Sequence, residues 1–64
     1  MSISYYEMGY NMSHERGSYQ VGTEEYNRIA KEIDDNEDRL ARTYGVNSKE
    51  RIEFSQGAGS HRYN

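Results

Sequence analysis

The sequence predicts a small α+β domain in which one long amphipathic helix packs on a small antiparallel sheet, a hairpin plus a short third strand. Three patterns carry this reading. Tyr26, Ile29, Ala30, Ile33, Leu40, Ala41 and Tyr44 recur at three- and four-residue steps, the spacing that gathers side chains on one stripe of an α-helix. Upstream, Tyr6, Met8, Tyr10 and Met12 alternate with period two, and downstream the run from Arg51 to Gln56 alternates in the same way. The alternative is an all-α three-helix bundle with breaks near Asp35 and Gly45.

Taken in order, Ile3 to Met12 reads as a first strand. Tyr6, Met8, Tyr10 and Met12 turn toward the helix, and Ile3 and Tyr5 turn away from it. Gly9 would weaken pairing in that strand or mark a bulge. Residues Ser13 to Gly17 supply turn chemistry, and Ser18 to Val21 resume the alternation with Tyr19 and Val21 inward. Thr23 is a good N-cap, and Glu24 and Glu25 place negative charge beside the unpaired N–H groups of the first helical turn. Arg39 and Arg42 sit near the other end, where Gly45 can take a left-handed conformation and Val46 fold back. Glu24 with Arg28, Asp35 with Arg39, and Asp38 with Arg42 are acid-before-base pairs four apart. The run Asp34 to Asp38 interrupts the apolar stripe with poor helix formers, so a break is expected there if anywhere. After the short third strand, Gly57 to Ser60 has linker composition. The expectation is therefore one domain over residues 1–56 and a flexible tail over 57–64.

Composition limits what such a chain can do. Leu, Ile, Val and Phe together number eight of 64 residues, and a chain this short buries only about 60% of its unfolded surface. Seven tyrosines and three methionines offset part of that deficit, and a second copy of the chain or a partner is expected to supply the rest. Cysteine is absent, so no disulfide can compensate. The N-terminal residues lack the basic region and apolar run of a signal peptide, which leads to the expectation of an intracellular protein with no membrane partner. A net charge of −3 and a pI near 5.2 argue against a nonspecific coat on DNA and favour a protein partner with a basic surface.

The acidic run provides the first candidate contact. Glu32, Asp34, Asp35, Glu37 and Asp38 put five carboxylates in seven residues, a density that could imitate nucleic-acid phosphates and occupy a basic groove. Tyr5, on the outer strand face, and Tyr63, near the end of the chain, are the candidate aromatic contacts, because tyrosine offers area and a polar tip at little entropic loss. Together these point to a non-enzymatic inhibitor that blocks a macromolecular partner. Phage-encoded inhibitors of host defence, of the anti-CRISPR or anti-restriction kind, and of host transcription work in this way as a class.

Leu40 to Ser48, followed by Ile52 and Phe54, resembles the first helix and turn of a helix-turn-helix DNA reader. Ala41, Gly45 and Val46 match that pattern, but Arg51 stands where an apolar anchor belongs. The resemblance covers about a quarter of the chain and implies a small DNA-binding regulator, with Ser48, Lys49 and Arg51 as its DNA contacts. Catalysis has little to rest on, since His14 and His61 lie far apart without a cysteine or serine-elbow partner. No cofactor is expected. Asp34, Asn36 and Asp38 match part of a calcium loop, but its glycine and closing glutamate are missing.

Overall fold

The structure, a computed structural model, describes residues 3–59, and these form three helices. Helix α1 spans Tyr5–Gly17, α2 Glu24–Tyr44 and α3 Lys49–Gly59. No strand occurs among the described residues. The expected α+β arrangement is therefore overturned, and the all-α alternative describes the class. The break that alternative places near Asp35 does not occur.

The composition of the buried faces explains the discrepancy. Tyr5, Met8, Gly9, Met12, Ser13 and Arg16 follow at helical spacing along α1. Gly9, Ser13 and Arg16 are buried, and Tyr5, Met8 and Met12 half-buried. The stripe is continuous, but half of it is not hydrophobic, so period-two alternation looks stronger. Tyr6 and Tyr10, expected inward on a strand, are exposed. On α3 the inner face is Phe54, Gly57 and Ala58, while Ile52, which would share a face with Phe54 in a strand, is exposed. Gly57 and Ala58 are thus core positions of a helix rather than linker residues.

Each helix starts at a hydroxyl cap. The Ser4 Oγ accepts from Glu7 N at 3.1 Å, the Thr23 Oγ1 from Tyr26 N at 3.3 Å, and the Ser48 Oγ from Arg51 N at 3.2 Å. Helix α2 stops where expected. The Gly45 N–H reaches Ala41 O at 2.9 Å, and its φ of 111° lies in the positive-φ region that favours glycine, as expected, while its ψ of 151° places it outside the left-handed helical turn. Val46 is exposed and lines a hollow together with Ala41. Ser18 to Val21, expected as a strand, is connecting loop with Tyr19 and Val21 outward.

Contacts at both ends run α1 and α2 in opposite directions, with Tyr5 meeting Tyr44 and Arg16 meeting Tyr26. Helix α3 also runs against α2, since Arg51 near its start shares a hollow with Asp38 and Ala41, while Ala58 and Gly59 at its end share one with Ile33 and Asp34. It follows that α1 and α3 lie in the same direction. They form the most extensive of the three helix pairings. Ile29, Ile33, Leu40, Phe54 and Ala58 make the core, with Tyr5, Met8 and Met12 packed against it. Phe54 is fully buried at its centre.

The acidic run stays helical because the stripe of α2 continues through it in polar form. Ile29, Ile33 and Leu40 are buried, and half-buried Asn36 and Glu37 fill the gap between Ile33 and Leu40. The Asn36 Nδ2 donates to Glu32 O at 2.8 Å and lies 3.8 Å from the Met12 sulfur. A Glu37 carboxylate oxygen accepts the Ser55 hydroxyl at 2.9 Å. With both polar positions bonded, 21 residues continue without interruption, roughly 31 Å at 1.5 Å per residue.

Candidate partner-binding surface

The acidic run from Glu32 to Asp38 on α2 divides into two groups. Glu32, Asp34, Asp35 and Asp38 are exposed, whereas Glu37 is half-buried and turned toward α3. Asp35 pairs with Lys31 at 3.5 Å and Asp38 with Arg42 at 3.0 Å, both exposed pairs one helical turn apart. Such pairs contribute little to stability. The expected partner of Asp35, Arg39, donates instead to the Asn36 side-chain oxygen, and Glu24 and Arg28 form no ion pair among the described residues.

Between α2 and α3, the least extensive helix pairing, the surface is hollow. A cleft of about 80 Å³ is bordered by Arg16, Asp34, Glu37 and Ser55, and its floor includes Ile33 and Ala58. A wider groove of about 330 Å³ is walled by Asp34, Glu37 and Asp38 on one side, with Ala41, Val46 and Arg51 completing it. Asp34 and Glu37 line both, so the two hollows adjoin. Arg51 approaches Glu37 at 4.0 Å and with the Ser55 hydroxyl balances that carboxylate. Asp34 has no ion-pair partner among the described residues.

Arg16 is the residue that sequence reasoning missed. It is only 8% exposed, its Nη2 donates to Ser13 Oγ at 3.3 Å, and its guanidinium lies over the Tyr26 ring at 5.6 Å. No carboxylate pairs with it among the described residues. A usable signal was present: continuing the steps from Met8 through Met12 along a helix leads to Arg16 on the inner face.

The tyrosines are distributed differently from expectation. Tyr5 faces inward, packs on the core, and its hydroxyl lies 3.2 Å from that of Tyr44, with the rings edge-on at 6.1 Å. That hydrogen bond, aided by desolvation, holds the Tyr5 phenol above its usual value. Tyr5 is therefore a packing residue of the helix pair rather than an outward contact. Tyr63 lies outside the described residues. Exposed aromatic surface comes instead from Tyr6, Tyr10, Tyr19 and Tyr44, with the Tyr10 ring beside His14 at 6.4 Å.

The DNA-contact candidates lie at the start of α3, where Ser48 is used as a cap. Lys49 lies 3.8 Å from Glu53, and Arg51 is held toward Glu37. Among the described residues, no three His, Cys, Asp or Glu side chains are arranged to hold a metal ion, and no helix is long and apolar enough to cross a membrane. Comparison with known proteins finds no matching family model, no similar curated protein and no similar solved structure.

Proposed function

We propose that this chain is a non-enzymatic binding protein that inhibits a macromolecular partner by occupying a basic surface on it, of the kind that otherwise grips nucleic acid. The observation that supports this reading is the row of carboxylates, Glu32, Asp34, Asp35 and Asp38, exposed along one uninterrupted helix. A continuous helix presents charge in a set geometry, and exposed charge of one sign acts mainly by steering encounter. The helix-turn-helix reading is weaker, because both basic side chains at the start of α3 already face carboxylates and the chain is net acidic.

The test is a lysate pull-down with the full chain and with a variant carrying Glu32→Lys, Asp34→Lys, Asp35→Lys and Asp38→Lys, the four exposed positions. The wild type should retain a protein whose association slows as salt rises, while the variant should lose it and keep its helical circular-dichroism spectrum. Equal capture by the variant, or sequence-dependent binding of the wild type to duplex DNA at low salt, would overturn the reading.

A further inference from the structure

The two hollows between α2 and α3 carry a more specific inference, which rests on the function proposed above. We propose that this groove seats a short basic segment of the partner, its main-chain carbonyl on Arg16 and its basic side chains on Asp34 and Asp38.

The chemistry of the walls selects this occupant. A guanidinium is a fork of N–H donors with no acceptor, and Arg16, more than nine-tenths buried and lying over the Tyr26 ring, reaches a single hydrogen-bond acceptor among the described residues, Ser13. Buried donors without acceptors are costly, so the cleft beside Arg16 favours a ligand that brings an oxygen. A free anion would meet Asp34 and Glu37 across the same cleft. A neutral carbonyl satisfies Arg16 without that repulsion. Farther along, the charge preference reverses. Asp34, which has no ion-pair partner among the described residues, and Asp38, in an exposed pair with Arg42, stand beside Ala41 and the exposed Val46. The one cationic wall residue, Arg51, is held toward Glu37. This suits a lysine or arginine whose aliphatic stem covers the apolar pair while its head reaches the carboxylates. The distance from Asp34 to Ala41 along α2 is about 10 Å at 1.5 Å per residue, the span of about three residues of extended chain.

The experiment is a titration of the isotope-labelled full chain, followed by backbone amide NMR, with acetyl-Arg-Ala-Arg-amide as the probe. Acetyl-Glu-Ala-Glu-amide and inorganic phosphate serve as controls. Amides of residues 34–41, 46 and 55–58 should shift and saturate with the basic peptide alone. Arg16→Met should weaken binding about tenfold. Val46→Lys, a change at an exposed position that leaves the core untouched, should weaken it at least as much even if the first variant unfolds. Shifts induced by phosphate would mark an anion site, and shifts confined to the Tyr6 and Tyr10 surface would place the contact on α1; either result, an unmoved groove, or unchanged binding to Val46→Lys, overturns the assignment. An unmoved groove together with loss of the captured protein on charge reversal would remove the groove assignment and leave the proposed function standing.

Discussion

The main-chain carbonyl of Tyr6 lies directly against Gly57. A Cβ built on that glycine would stand 2.8 Å from the carbonyl carbon and closer still to its oxygen. Gly9 repeats the relationship in the other direction: a Cβ there would be 2.8 Å from Ala58 N and closer still to the carbonyl oxygen of Phe54. Two helices in this small protein therefore touch backbone to backbone, and neither obstruction is a flexible side-chain tip that could move aside. Close approach of this kind brings many atoms into dispersion contact and allows weak Cα–H to carbonyl contacts.

Replacing either glycine by alanine should force α1 and α3 apart. Overpacking of this type costs roughly 1–3 kcal/mol, a large share of the stability of so small a domain. Gly17→Ala and Gly59→Ala supply the control, since a Cβ at either position meets nothing within 4 Å. Those changes should be neutral or stabilise by up to about 1 kcal/mol through helix propensity. Urea melts followed by circular dichroism separate the two outcomes, and equal effects at Gly9 and Gly17 would contradict the close crossing.

Phe54 and Ile52 provide a second contrast. Phe54→Ala should destabilise by about 3–5 kcal/mol, enough to unfold much of the population, because its ring fills the centre of the core. Ile52→Ser, at an exposed position, should change stability by no more than about 0.5 kcal/mol. A strand over Arg51 to Gln56 would make the two changes comparably damaging, so matched thermal melts decide between the arrangements.

Tyr5 should behave as a structural residue and Tyr6 as a surface one. Tyr5→Ala should lower the thermal midpoint by several degrees while Tyr6→Ala leaves it nearly unchanged. Tyr5→Phe isolates the hydroxyl. Its folded-state pKa is raised above the unfolded value of about 10, so its contribution is complete below that pH and lost as pH rises through the folded value. The gap in melting temperature between wild type and Tyr5→Phe should therefore be open at pH 8 and close as the pH rises above the ordinary phenol value of about 10. A gap that widens with pH would show that the hydroxyl is not held neutral by Tyr44.

Helix α2 was readable in detail from the sequence, and α1 and α3 were not. Hydrophobic periodicity detects a helix only when its buried face is apolar, as with Ile29, Ile33 and Leu40. The inner face of α1 is built partly from Gly9, Ser13 and Arg16, and that of α3 from Phe54, Gly57 and Ala58. A glycine buried against another backbone has no side chain to register as hydrophobic, and in isolation it reads as a breaker or a linker. The cap of α1 was nonetheless visible, since Ser4 with Glu7 three residues later is a helix-start pattern. The candidate surface divides along the same line. The acidic run was evident as composition, but the groove beside it joins residues far apart in the chain, Arg16 with Asp34 and Ser55.

By itself, the sequence determined the start, the stop and the buried stripe of α2, the density of carboxylates on it, and the scarcity of large apolar side chains that makes the core small. Those properties follow from local backbone chemistry and from counting. Only the tertiary structure decided that α1 and α3 are helices in backbone contact, that Tyr5 turns inward while Tyr6 and Tyr10 turn out, and that Arg16 is buried beside a cleft. The physical reason is that glycine and serine acquire their role as packing surfaces only when a second helix approaches closely enough to use the space they leave.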